Sequence, residues 1–186
     1  MDRVAIVHDN FCRRAAANDL PAGPAPDDSL DPATALALFR AQVMSRQLDR
    51  ISRAMQRAGE GFYTIGSSGH EGMAAVAEAL RPGDIAFLHY RDAAFQLARG
   101  MQVHGPEALW AGARDLLLSF ACSVDDPISG GRHKVLGSRA LMIPAQTSTI
   151  ASHLPKALGA AFSIGAMKRF RPEHALCAPD SIAVCS

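Results

Sequence analysis

The stretch Ile143 to Phe170, IPAQTSTIASHLPKALGAAFSIGAMKRF, constrains this chain most, because it joins two devices of opposite backbone chemistry. Gln146, Thr147, Ser148, Thr149 and Ser152 follow Pro144, and short polar side chains compete for main-chain hydrogen bonds, which favours a loop. Pro155 then suits a first helical turn, where its missing N–H would have no partner anyway. Ala157, Gly159, Ala160, Ala161, Ser163, Gly165 and Ala166 continue that helix with little bulk. Each interior glycine costs about 1 kcal/mol relative to alanine, so two of them predict close approach of other backbone. A polar loop feeding a small-residue helix reads as a ligand seat or as an Ala-rich core helix with a Ser/Thr cap.

With 186 residues, 48% of them hydrophobic, the chain can bury the core of one ordinary domain. A net charge of +1, spread along the chain, leaves no basic stripe for nucleic acid and no polybasic membrane anchor. No apolar run approaches the ~20 residues of a membrane span. The N-terminus carries Asp2, Asp9 and Asp19 in place of a basic, apolar signal, so a soluble cytoplasmic protein is expected. Cys12, Cys122, Cys177 and Cys185 have neither paired nor ligand spacing, which argues against a zinc site or a disulfide framework.

Residues 1–30 hold a short β-like run, Val4 to Val7, and an Ala-, Pro-, Gly- and Asp-rich stretch that reads as a mobile leader. Asp31 and Pro32 make an N-cap and first helical position. Leu36, Phe39, Val43, Met44, Leu48, Ile51 and Met55 then recur at helical spacing as far as Gly59 and predict a long helix with an apolar inner face. Arg46, Arg50, Arg53 and Arg57 read as its solvated face. Gly66 to Gly72 is a glycine-rich turn, with Ser67 or Ser68 as a cap for a helix over residues 71–80. Such a turn could hold phosphate at a helix N-terminus, though a tight turn that binds nothing is the commoner case. Ile85 to Leu88 reads as a short buried strand, and His89-Tyr90-Arg91-Asp92 stands where it meets the next helix. Ligands of open α/β sheets collect at such carboxyl ends, which makes Tyr90 and Arg91 candidate phosphate donors, or else a packed tyrosine and a surface arginine. Residues 106–120 predict an amphipathic helix, 123–138 a polar loop in which His133 could hold an anion, and 181–186 a buried strand. Helices alternating with short apolar strands, without hairpin signals, define an α/β layered domain over residues 31–186.

Four segments in order, MSRQLDRISRAMQRAGEGFYTIGSSGHEG, LHYRDAA, GGRHKVLG and QTSTIASHLPKALGAA, resemble the alpha subunit of the thiamine diphosphate-dependent decarboxylating component of 2-oxoacid dehydrogenases, the branched-chain type most closely. The resemblance implies a thiamine diphosphate-binding fold, with three layers and a mostly parallel sheet flanked by helices, behind a long N-terminal helix. It also implies that Tyr90 and Arg91 bind the cofactor diphosphate, that Ser148 and Ile150 face the aminopyrimidine, and that His133 belongs to a histidine-bearing cofactor loop. A structural potassium ion would fall on the carbonyls of Thr147 and Thr149, the hydroxyl of Ser152 and residue 153. His153 departs from the amide oxygen of relatives with that ion, and nitrogen is a poor ligand for a hard cation. The implied partners are a beta subunit or fused beta half, a lipoyl-bearing acyltransferase and a small 2-oxoacid.

A second departure concerns the metal. Family members follow the last strand with a Gly-Asp turn whose Asp ligates the magnesium that bridges the phosphates, and Ser186 falls just before that turn. The expectation is an N-terminal portion of the domain, inert alone, with no residue in a catalytic role. The alternatives are an acetoin-dehydrogenase or transketolase-like thiamine enzyme, and a non-catalytic module binding a partner through residues 33–58 and an unclosed sheet.

Overall fold

The computed structural model describes residues 3–23, 30–62, 64, 66–132, 135–170, 173 and 177–186. The chain divides into two compact units, Met1–Asp31 and Pro32–Ser186.

The first unit contains helix α1 (Arg3–Ala16). The β-like reading of Val4 to Val7 is therefore corrected. Four consecutive apolar residues fit a buried strand or a helix segment equally, and length decides between them. The helical run here is 14 residues, with Arg13 and Arg14 in its last turn, where cations complement the helix dipole.

The second unit opens with α2 (Pro32–Arg57), starting at the proline that Asp31 precedes. Its inner face is not the large apolar stripe. Ala41, Ser45, Leu48 and Ser52 are buried, whereas Leu36, Phe39, Val43 and Ile51 are 40–60% exposed. Small residues at positions 41, 45 and 52 let α2 lie close to its neighbours; of the apolar stripe Leu48 turns inward and Met44 packs against the core, while Leu36, Phe39, Val43 and Ile51 stay outside. A 3₁₀ turn (His70–Gly72) and α3 (Met73–Glu78) follow, a helix two residues shorter at each end than the spacing predicts. Strand β1 (Ile85–Phe87) leads through residues 88–92 into α4 (Ala93–His104), and α5 (Ala108–Phe120) turns back beside it.

The centre of the fold is α4. Eight consecutive residues, Ala94 to Met101, are buried, and α4 packs against α2, α3 and α5. Phe95, Leu97, Leu88 and Ile143 lie at 1% exposure or less. Arg99 is also fully buried, its guanidinium 5.0 Å from the Phe95 ring centroid. Its Nη1 donates to the carbonyls of Asp84 (3.1 Å), Pro82 (3.3 Å) and Leu141 (3.3 Å), tying the entry of β1 to the turn before Met142. Burial lowers the Arg99 pKa from its usual value, opposed by nearby Asp84.

Two strand pairs complete the unit. β1 runs parallel to β4 (Ala183–Cys185), pairing Ile85 with Ala183 and Phe87 with Cys185. β2 (Leu136–Ser138) and β3 (Ile143–Gln146) pair antiparallel around a 3₁₀ turn at Arg139–Leu141. The Ala86 amide donates to the Met142 carbonyl at 3.0 Å, which joins β1 to this second pair. The loop expected across residues 123–138 thus ends in a strand, the segment opened by Pro144 is a strand as far as Gln146, and the absence of hairpin signals was misleading. The α/β class holds, with one parallel and one antiparallel pair.

Helix α6 (Leu154–Phe170) forms where Pro155 predicts it, but only Ala157 is buried among its residues. A Cβ added at Gly159 or Gly165 would meet nothing within 4 Å, so the close backbone approach expected there is not made among the described residues. Leu154, Leu158 and Phe162, four residues apart, are 54%, 73% and 76% exposed. No helix among the described residues is long and apolar enough to cross a membrane.

Candidate functional site

β1 and β4 end side by side, the Ser186 amide donating to the Phe87 carbonyl at 3.2 Å. Everything chemically notable in the described chain gathers at this edge. Asp92 sits at the N-cap position of α4, yet its carboxylate does not cap the helix. It is fully buried and turned towards the strand ends. Its Oδ1 lies 2.7 Å from His70 Nδ1, and its Oδ2 accepts from the His89 amide at 2.9 Å and from the Ser186 hydroxyl. The His89 amide is shared with Ser186 Oγ at 2.7 Å.

Around that carboxylate the aromatic rings form a row. The His70 and His89 rings stack at 5.3 Å, and His89 tilts over Tyr90 at 3.9 Å. The Arg91 guanidinium stands 5.4 Å from the Tyr90 ring centroid and donates from Nη1 to the Gly66 carbonyl. Burial lowers the His89 pKa; the Asp92 carboxylate opposes this, and His70, Arg91 and His153 add to it. His89 is therefore neutral near pH 7 and accepts at Nδ1 from the Arg91 amide (3.4 Å).

The glycine-rich turn is held over the strand ends by α2. Asp49 Oδ2 accepts from the Ser67 amide (2.6 Å) and hydroxyl (2.8 Å), and Ser67 Oγ also bonds Ser45 (3.2 Å) and Glu71 (3.3 Å). Arg46 pairs with Glu71 at 2.7 Å, and Glu71 takes the Gly69 amide at 2.7 Å. Two expectations change accordingly. Ser67 staples the turn to α2 and caps no helix, since neither the 3₁₀ turn nor α3 has a side-chain cap. Arg46 belongs to the turn's scaffold, and Arg53 Nε is buried without a partner among the described residues, so only Arg50 and Arg57 read as solvated.

The loop after β3 closes on itself. Gln146, 1% exposed, donates from Nε2 to the Thr147 carbonyl (3.1 Å) and to Ser152 Oγ (2.9 Å). Ser152 Oγ donates to the Thr149 carbonyl (2.9 Å), and Ala151 takes a left-handed φ of 64°. Buried His153 faces Ser186, its Nε2 2.8 Å from that carbonyl. The oxygens of the implied potassium set, the carbonyls of Thr147 and Thr149 and the hydroxyl of Ser152, each accept a hydrogen bond within the loop, and His153 Nε2 is turned to Ser186. Ser148 is half-buried and Ile150 is 69% exposed. His133 lies outside the described residues.

The structure thus gathers Tyr90, Arg91, His70, His89, Asp92 and, through His153, the end of the 147–153 loop. His70 and Asp92 were missed from sequence because they stand 22 residues apart. The one available signal was an aspartate at a strand-to-helix junction beside a histidine-bearing glycine turn. The edge fits an anionic group. Arg91 offers a guanidinium, Tyr90 a phenol, and His70, its Nδ1 committed to Asp92, retains Nε2 on a side chain 37% exposed. No group of three or more His, Cys, Asp or Glu able to hold a metal ion occurs among the described residues.

An α/β domain with arginine and imidazole at the carboxyl ends of parallel strands has the layout in which open sheets collect ligands. The family is more particular: residues 39–177 match the model of the dehydrogenase E1 component, and the chain belongs to that family. It is also similar to the 2-oxoisovalerate dehydrogenase subunit alpha of Bacillus subtilis (strain 168), 29% identical over 133 residues. That similarity covers 69% of this chain and 37% of the relative, so the chain spans well under half the length of the protein it matches.

Proposed function

We propose that the chain is part of the alpha component of a 2-oxoacid dehydrogenase of the branched-chain type, and that residues 31–186 form part of a three-layer thiamine diphosphate-binding domain. The observation that carries the reading is the placement of Tyr90 and Arg91 at the carboxyl end of β1, under a glycine-rich turn stapled to α2. When bound, thiamine diphosphate supplies the nucleophile and the electron sink for decarboxylation of a 2-oxoacid. The chain's own residues do the holding. Arg91, released from the Gly66 carbonyl, meets diphosphate oxygens, for which its planar fork is suited, and Tyr90 adds a hydroxyl donor. Main-chain groups at Ser148 and Ile150 face the aminopyrimidine. Exposed Ile150 supplies an apolar surface for that ring, and the Gln146 carboxamide keeps the loop in shape without an ion. Cytoplasmic location, a beta component and a lipoyl-bearing acyltransferase complete the reading.

The chain alone is expected to bind the cofactor weakly and to turn over no 2-oxoacid, because at this edge Arg91 stands against a multiply charged diphosphate. Millimolar thiamine diphosphate should shift the backbone amide resonances of residues 66–72 and 89–92, and Arg91→Met should abolish those shifts. Perturbation confined to other regions would overturn the reading. Micromolar calorimetric affinity, or dye reduction by the chain with cofactor and magnesium, would contradict that expectation.

A second reading, a non-catalytic module that docks a partner subunit, is favoured by the exposed Leu36, Phe39, Val43 and Ile51 of α2. Unchanged resonances at the strand ends together with capture of a purified beta component would support it.

A further inference from the structure

We propose that His70 is a direct, proton-carrying contact to the anionic group at the strand ends, with Asp92 as its positioning residue; this rests on the reading of that edge as a diphosphate seat. Asp92 is fully buried, and its Oδ1 holds His70 Nδ1 at 2.7 Å, which fixes the ring's orientation and tautomer. The other carboxylate oxygen accepts from the His89 amide and the Ser186 hydroxyl, neutral donors that leave its charge in place, so His70 must carry a proton for its Nε2 to meet an anion. His70 is left with Nε2 on a 37% exposed side chain, stacked on His89 and in the same row of rings as Tyr90 and Arg91. In the neutral ring Nε2 is an acceptor and opposes an anion. In the protonated ring it is a donor, with a charge whose cost Asp92 offsets.

The other charged groups facing His70 are accounted for. From the β1–α4 turn come Asp92, His89 and Arg91, and on its own turn Glu71 is paired with Arg46 of α2. Asp49 of α2 is committed to Ser67, His153 before α6 is turned to Ser186, and α3 has no acidic group in its first turn. His89 is held neutral by burial. That leaves Arg91 as the permanent cation of the edge and His70 as its conditional one.

The test uses the full chain with histidine side chains isotopically labelled and sulfate as the probe, a tetrahedral dianion whose charge is constant across the histidine range. Saturating sulfate should raise the His70 protonation midpoint by about one pH unit, because a facing anion favours the charged imidazole. By linkage, sulfate should bind about tenfold tighter when His70 is protonated than when it is neutral. His70→Gln, which keeps an amide donor for Asp92, should bind sulfate with most of that pH dependence gone while Arg91 still responds. Sulfate that shifts the Arg91 and Tyr90 amides but leaves the His70 midpoint in place, or full pH dependence retained in His70→Gln, overturns the role of His70 alone. Sulfate that moves neither Arg91 nor Tyr90 overturns the seat itself. Should His70→Gln fail to fold, the wild-type midpoint decides the matter unaided.

Discussion

Asp84 shows how one carboxylate can hold two distant segments. It is 3% exposed, and it accepts from the Arg81 amide (2.9 Å) and from the Ile182 amide (3.0 Å) just before β4. Burial alone would push its pKa up; the Ile182 and Arg81 amides and the Arg81 guanidinium outweigh it, so the carboxyl is held below its ordinary 3.8. A depressed folded-state pKa means that the stabilisation is present above the unfolded-state value and is lost as pH falls through the folded one. Asp84 should therefore stabilise the fold above about pH 4, with the loss on acidification falling below that. Asp84→Asn should lower stability at pH 7 and flatten the acid limb of a stability-versus-pH curve measured by urea unfolding. A variant curve parallel to wild type across that range would rule out the linkage.

At the scale of elements, Gly137 decides whether β2 and β3 can pair. A Cβ there would stand 2.8 Å from Ala145 Cα, a contact with backbone that no side-chain rotation relieves. Gly137→Ala should cost about 1–3 kcal/mol in urea unfolding, the usual range for overpacking a tight contact. Loss of amide-exchange protection at residues 136–146 should accompany it. This hairpin is also where the sequence was least informative: strands of three and four residues are too short to show alternation, and Pro144 argues against a strand interior. By contrast α2, β1 and the junction ahead of α4 were readable, because capping chemistry, helical spacing and a Gly-Asp turn all agree locally. Helical spacing could not say which stripe of α2 faces inward, since Ala41, Ser45 and Ser52 carry little apolar signal and Leu48 alone marks that face as strongly apolar. In the site, Tyr90 and Arg91 were legible as neighbours of a strand end. The His70–Asp92 pair was not, because only the folded chain brings the 3₁₀ turn against the α4 junction.

Across the Pro32–Ser186 unit, hydrophobic burial is concentrated on α4, while α6 carries Leu154, Leu158 and Phe162 on one outward line. Apolar area of that kind, contiguous and uncovered, favours association. Lysine at two of these positions should suppress it: Leu158→Lys combined with Phe162→Lys is expected to reduce light scattering without altering the far-ultraviolet dichroism, as both side chains are more than 70% exposed. An unchanged scattering profile would place the sticky surface elsewhere. The uncovered line on α6 also bears on any calorimetric scan of the isolated chain. If the folded form meets its own kind through that line and the unfolded form does not, mass action makes the transition temperature a function of protein concentration, climbing with each dilution step reversed, whereas the doubly substituted chain should melt at one temperature throughout.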